Sequence, residues 1–471
     1  MNKTLFAVVF ALSAAGARAD DFFSYGTVRC AWFDSLITPK VGTAVAGYER
    51  DQFSTWKADE LHVLGLALDD GEHKALLMSF DLLGMDGEII RRIRKSAATA
   101  LGTEECYVML TCTHTHSGPE TRTSRSHPET LNREYVAELE KTVLDGARGI
   151  SEWRECAVAY SSVKAPYNRN RRYVTGDNHA SFLPHRPDMY PLADGSVDAE
   201  LGLVYLVDRI GDPIVTVGNW AAHPLASHSP ARGGLRLSAD YPGFFRDYIS
   251  HETGSKAMFV QGACGDLVPL EDELGTAAAR DLGEALGKRA MRALVETQRN
   301  PTRYVVRNPK IGGVIVPFDA ALRRKWSGKL TGEYAGLAKI PLEIQCLSVG
   351  DIAFAGMPGE IVNEIGQEIK WHSPFRRTFI AYLSTSYFDY MSPRNFLVAG
   401  GYEAQNQRIA SRDALRLVVA TTDALCALRE STHPDSVGKA EPYPDYLDLP
   451  LVDIPGGVKG SKLRLDFAEE K

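Results

Sequence analysis

Tyr107-Val108-Met109-Leu110-Thr111-Cys112-Thr113-His114-Thr115-His116-Ser117-Gly118-Pro119 is the stretch on which the reading of this chain turns. Tyr107 to Thr111 reads as a short apolar strand that runs directly into two histidines, and Gly118-Pro119 ends the segment sharply. Residues two apart on an extended chain project to the same face, so both imidazoles can approach one ion or one substrate. Zinc suits imidazole and carboxylate ligands, and a catalytic zinc keeps one position open for water. Thr113, Thr115 and Ser117 offer hydroxyls to orient the rings. A pair of histidines also ends many strands with no metal nearby, so the reading depends on what the rest of the chain supplies.

Outward from that segment, short apolar runs alternate with helical patterns. Leu61 to Leu68 and Ala75 to Leu82 read as consecutive strands around the Asp69-Asp70-Gly71 turn. Glu88 to Leu101 places Ile89, Ile90, Ile93, Ala97 and Leu101 on one helical face, and Tyr135, Val136, Leu139, Val143 and Leu144 form a second amphipathic helix. Strands follow at Leu203 to Val207, Ile214 to Val217 and Ala257 to Val260, then a long helix from about Gly275 to Thr297. Leu342 to Leu347, Ile352 to Ala355 and Thr378 to Leu383 read as the last strands. This mixture predicts an α/β (α+β) fold, a layered mixed-sheet domain with its site at strand ends.

The ends of the chain read differently. Lys3, the apolar Leu5 to Ala15 and the small-x-small Ala17-Arg18-Ala19 before Asp20 have the form of a secretory signal over residues 1–19. Export to the periplasm or beyond the cell is the expectation. No later apolar run reaches the ~18 residues of a membrane span. Residues 20–430 form the expected folded domain, and 431–471, rich in Pro, Gly and Asp, an extended tail. The 53 basic and 60 acidic residues give a net charge of −7 with no basic block, which argues against nucleic acid as a partner. Seven cysteines are scattered without any Cys-x-x-Cys pair, so no disulfide framework or zinc knuckle is read from them.

Two further segments join the histidine pair. The apolar run Val215 to Trp220 breaks into Ala221-Ala222-His223-Pro224, a histidine fixed at a strand end, with His228 in a Ser-rich loop just after as the weaker candidate. Met357-Pro358-Gly359-Glu360 follows the strand at 352–355 and sets a carboxylate past a Gly turn. Glu360 reads equally as an acid favoured near a helix N-terminus, and the two roles are compatible.

Taken in order, these segments resemble the neutral/alkaline ceramidase family. The resemblance runs from Gly47-Tyr48-Glu49-Arg50 and Asp81-Leu82-Leu83-Gly84 through Thr113 to Pro119, Asn170-Arg171, Asn219 to Pro224, Ser238 to Gly243 and Gly265-Asp266. It closes with Met357 to Glu360 and Tyr387 to Glu403. It implies a Zn2+ ion held by His114, His223, Glu360 and Tyr390, with Tyr382 and Tyr387 as competing tyrosines assigned to core or pocket wall. It also implies His116, Arg171 and Tyr402 as catalytic residues around the scissile group. The implied substrate is a fatty N-acyl amide, ceramide or another acylated amine or amino acid, taken with transient membrane-surface contact and no obligate protein partner.

Two departures qualify the resemblance. Ceramide-cleaving members carry a serine where Gly265-Asp266-Leu267-Val268-Pro269 places Val268, whose side chain can neither attack a carbonyl nor donate a hydrogen bond. The C-terminal immunoglobulin-like domain usual in that family has no counterpart in the sequence. The expected chemistry is therefore a metal-activated water, with His116 moving the proton and Tyr402 or Arg171 stabilising the oxyanion. Rival readings are an amidohydrolase-type metal enzyme acting on a non-lipid amide or ester, and a non-catalytic lipid- or glycan-binding relative.

Overall fold

The turn at 69–71 forms as its residues dictate. Asp69 Oδ1 accepts the Gly71 N–H at 2.8 Å, and Asp70 Oδ1 accepts those of Glu72 and His73 at 2.9 and 2.7 Å. The chain therefore folds back from strand His62–Asp69 into the antiparallel strand Lys74–Phe80. Almost every residue of both strands is buried, the signature of a sheet covered on both faces. The structure, a computed structural model, describes residues 22–48, 52–122, 133–174, 180–181, 190–191, 196–227, 235–270 and 275–436. The segment 1–19 expected to be a secretory signal, His228 and residues 437–471 of the expected tail lie outside the described residues.

The hairpin belongs to an eight-stranded mixed sheet. Its spatial order is Lys256–Gln261, Pro213–Trp220, Glu200–Val207, Arg154–Lys164, Val28–Leu36, His62–Asp69, Lys74–Phe80 and Val108–Cys112. The outermost pair at each edge is parallel and the interior pairs are antiparallel. The sheet is rolled, so strands from its two ends meet: Ser79 Oγ donates to Phe259 O at 2.6 Å.

A four-stranded sheet, ordered Ile311–Ala321, Lys339–Val349, Ile352–Gly356 and Arg377–Ala381, covers one face of the first. Between them lies an apolar layer that includes Leu66, Leu77, Val158, Val204, Leu347 and Phe354. Helices Gly87–Leu101 and Arg133–Arg148 pack on the other face of the large sheet at one end, and Asp240–Thr253 and Thr276–Arg299 at the other. Asn363–His372 and Ser411–Thr432 cover the outer face of the small sheet. The result is a helix–sheet–sheet–helix layering, the α/β mixed-sheet class that the sequence predicts.

Among the described elements that were not anticipated from the sequence are three long strands and two long helices, and most of these have a local cause. Val28–Leu36 and Arg154–Lys164 carry charges that dilute their apolar pattern, and Ile311–Ala321 contains Gly-Gly and a Pro. Helix Asp240–Thr253 opens on Asp-Tyr-Pro-Gly, which reads as a turn. Helix Ser411–Thr432 continues two residues past the expected domain end at 430. The final strand stops at Ala381 rather than Leu383, because Leu383 takes a left-handed backbone (φ 50°) that turns the chain toward the site. All seven cysteines are free thiols, six of them at least half-buried and Cys426 exposed. No helix among the described residues is long and apolar enough to cross a membrane.

Candidate metal centre

Parallel neighbours end on the same side of a sheet, and ligand sites form beyond such carboxyl ends. Here the relevant ends are those of Val108–Cys112, Pro213–Trp220, Ile352–Gly356 and Arg377–Ala381, each of which has a parallel neighbour. They are tied together by buried side chains. Asn219 Nδ2 donates to Val260 O and Ile380 O, both at 2.9 Å, and Thr111 Oγ1 donates to Tyr382 O at 2.8 Å.

From these ends come His114, His223 and Glu360, all fully buried or nearly so. Glu360 Oε2 stands 3.3 Å from His114 Nε2 and 3.4 Å from His223 Nε2. Donors ~2.0–2.1 Å from a tetrahedral ion are separated by ~3.3 Å, so the carboxylate oxygen already stands from each imidazole nitrogen at the spacing of one coordination sphere. The Tyr390 hydroxyl completes the set at 3.5 Å from His223 Nε2. It is brought there because Glu360 and Tyr390 are register partners in a short parallel pairing, with the Glu360 N–H on Asp389 O. Neither His114 Nε2 nor Glu360 Oε2, both buried, makes a hydrogen bond. Buried polar atoms left in that state are costly, and a metal ion between them removes the cost. The donor set of two imidazoles, a carboxylate and a phenol fits a divalent transition metal.

Backbone carbonyls orient both rings. His114 Nδ1 lies 2.7 Å from Leu83 O, and His223 Nδ1 lies 2.7 Å from Cys264 O and 3.2 Å from Leu267 O. Each carbonyl requires a proton on Nδ1 and so leaves Nε2 as the free lone pair facing Glu360. None of the three hydroxyls expected to orient the rings does so: Thr115 Oγ1 donates to Ser238 O, Ser117 Oγ contacts Ser227 Oγ, and the buried Thr113 Oγ1 makes no hydrogen bond. Burial first, then the Arg171 charge, pull the His223 imidazole down to about 4, which keeps it neutral as a ligand must be. Burial pushes the Glu360 carboxyl up, and positive charge on the facing imidazoles, when they are protonated, more than offsets this and draws it well below its ordinary range.

His116 reaches the same cavity by a different route from the one expected. The strand ends at Cys112, and His114 has a left-handed backbone (φ 68°), so the two histidines converge through a strained turn rather than along an extended chain. Their rings meet edge-on with centroids 5.1 Å apart, and His116 lies 5.6 Å from the His223 ring. The three imidazoles offer nitrogens within 4.8 Å of one another, so His116 borders the metal position while remaining half-buried. Gly47 (φ 96°) backs it: a Cβ there would fall 2.4 Å from His116 Nδ1.

Arg171 is buried and donates to Glu403 Oε1 at 2.8 Å, Gly265 O at 2.8 Å and Tyr390 OH at 3.0 Å. Its guanidinium lies beside both the Tyr390 and Tyr402 rings, 5.6 and 5.4 Å from their centroids. Tyr402, at the start of the short helix Tyr402–Asn406, is half-buried and packs 5.5 Å from Tyr390. Val268 sits in the strand Leu267–Pro269, one residue after the carbonyl that contacts His223, so the segment is at the site with an alkyl side chain in it. Tyr382 packs edge-on against His114 at 5.3 Å, the wall position expected for it.

Tyr387 is the residue that sequence reasoning undervalued. Its hydroxyl donates to Glu360 Oε1 at 2.5 Å, which presents Oε2 to the histidines, and Arg122 stacks on its ring at 4.3 Å. The only signal in the sequence was its position three residues before Tyr390.

No protein-family model matches this sequence, and no curated protein matches it. Among solved structures, neutral ceramidase from Pseudomonas aeruginosa superposes with a TM-score of 0.67 at 16% identity, over 91% of this chain and 77% of that one. A ceramidase complexed with C2 superposes with a TM-score of 0.68 at the same identity and coverage. Over nine-tenths of its length, then, this chain has the fold of the neutral ceramidases.

Proposed function

We propose that the protein is an exported, zinc-dependent hydrolase of fatty N-acyl amides. The observation that carries this is the approach of Glu360 Oε2 to His114 Nε2 and His223 Nε2 at 3.3 and 3.4 Å beside Tyr390, with His116 next to it as a base. The shared fold with neutral ceramidase supports an acyl amide as substrate. Export rests on the leader at 1–19.

When bound, zinc supplies Lewis acidity and lowers the pKa of water toward neutrality. His116 accepts the proton of the attacking water and returns it to the departing amine. Tyr402 donates to the oxygen of the attacked carbonyl as charge develops on it. Arg171, whose donors already serve Glu403, Gly265 and Tyr390, fixes the tyrosines in place. With Val268 at the family serine position, no side-chain hydroxyl attacks from there. Release of free fatty acid from a panel of N-acyl lipids, abolished by chelator and restored by zinc, is the expected result. A zinc-loaded protein inert toward every amide and ester tested would favour the non-catalytic binding reading.

A further inference from the structure

A second cavity lies apart from the metal centre. Strands Val28–Leu36 and His62–Asp69 form one side of it, and helix Asp240–Thr253 with the strand Lys256–Gln261 that follows forms the other. Its volume of about 500 Å³ falls within the ~300–1,000 Å³ of small-molecule sites, and none of its lining residues belongs to the metal centre. Strand alternation sets Trp32 and Asp34 on one face of Val28–Leu36, with Leu64, the register partner of Asp34, beside them. Phe244 and Ser250 face them from the helix.

The charges on its walls are close to balanced. Asp34 Oδ1 lies 2.6 Å from His62 Nδ1, and that hydrogen bond raises the imidazole and favours its charged form. Arg246 donates to both carboxylate oxygens of Asp81 at 2.8 and 2.6 Å, and Glu60 is held by Lys57. Asp247 and Lys256, both exposed, add one charge of each sign. Asp59 is left without an opposite charge; it accepts from Ser238 Oγ and Ala239 N, and burial raises its carboxyl to about 6. A strongly charged ligand therefore gains little here. What the walls offer is donors and acceptors side by side, next to the apolar surface of Trp32, Leu64 and Phe244. The Trp32 Nε1–H is buried and makes no hydrogen bond, a state whose cost a ligand oxygen would remove. A neutral ligand with an apolar face and a rim of groups that both donate and accept is a sugar ring.

We propose that this cavity binds a saccharide unit, with the Trp32 indole N–H donating to a sugar oxygen and Asp34, Asp247 and Ser250 meeting the hydroxyls. The apolar C–H face of the ring packs on the side of the cavity formed by Leu64 and Phe244. The site binds and carries out no chemistry, so it stands whether or not the metal centre hydrolyses acyl amides.

The test is isothermal titration calorimetry of the full chain with glucose, N-acetylglucosamine, cellobiose, maltose, lactose, and methyl and octyl β-glucoside. At least one should bind with a Kd of about 1 mM or tighter. Equal affinity for the two glucosides is the result for a free sugar and tighter octyl binding that for a glycolipid headgroup; either supports the site. Trp32→Phe keeps a ring, removes the N–H and should weaken binding by about 2- to 10-fold. Ser250→Trp, which fills the cavity from its half-buried wall, should abolish binding, and Val419→Glu on helix Ser411–Thr432 should leave it unchanged. Thermal melting confirms that each variant is folded, with Asp247→Ala, at an exposed position, as a milder substitute that should also weaken binding. Absence of binding by every sugar, or binding unchanged in both Trp32→Phe and Ser250→Trp, would overturn the proposal. So would tetramethylammonium chloride or inorganic phosphate binding more tightly than any sugar.

Discussion

Replacing Tyr387 by Phe removes one oxygen and keeps the ring under Arg122. That oxygen donates a 2.5 Å hydrogen bond to Glu360 Oε1, in a pocket where both residues are almost fully buried. A hydrogen bond to a buried charged group contributes about 1.5–3 kcal/mol, or roughly 10- to 150-fold in an equilibrium constant. The loss should appear in metal affinity, because the bond turns Oε2 toward His114 and His223; partners that orient a ligand typically account for ~10–100-fold. Competition with a chromophoric chelator should therefore show zinc bound about 10- to 100-fold more weakly, with the stoichiometry retained. Unchanged affinity would refute the orienting role. Complete loss of zinc from Tyr387→Phe, with Tyr390→Phe still binding fully, would make Tyr387 the ligand in place of Tyr390.

Other perturbations give separate checks. Gly47→Ala puts a Cβ 2.4 Å from His116 Nδ1 at φ 96°, so the ring must move by about 1 Å; displacement on that scale should lower kcat by ~100-fold. Zinc content should be preserved, and unchanged kcat would show that His116 does not need its present position. Val268→Ser should leave hydrolysis within about tenfold of wild type, whereas a gain of ~100-fold would show that a serine here can serve as nucleophile. Glu200 supplies the pH test. Burial alone would raise its carboxyl, but the Lys370 and Arg377 charges hold it at about 2. A depressed carboxylate stabilises the fold fully above its unfolded pKa of ~4.3 and loses that contribution as pH falls through about 2. Glu200→Gln should cost about 3–5 kcal/mol at pH 7 in denaturant titrations, shrinking toward pH 2, because it leaves buried cations without their partner. A pH-independent difference would contradict this assignment.

The sequence displayed periodicity well and geometry poorly. Helices 87–101 and 276–299, and the hairpin through 69–71, could be read because apolar spacing and turn residues agree there. Strand Ile311–Ala321 could not, because its Gly-Gly and Pro suit an edge strand only once its partner Lys339–Val349 is known. The site residues His114, His116, His223, Glu360, Tyr390, Arg171 and Tyr402 do come together. The reason given for the histidine pair did not hold: side-chain alternation on a strand was expected, and a left-handed His114 achieves the convergence. Ring orientation was illegible for a related reason. Leu83, Cys264 and Leu267 act through carbonyls that no side-chain pattern reveals. Tyr387 was passed over because two tyrosines three apart look alike until one is seen on Glu360.

The measurement that bears most directly on the account pairs zinc stoichiometry with N-acyl amide hydrolysis for His116→Ala. The account assigns four other residues to the metal and the proton transfer to His116, so zinc should remain at one per chain while hydrolysis falls by roughly two to four decades. Loss of zinc would make His116 a ligand, and full activity in the zinc-loaded variant would remove it from the chemistry.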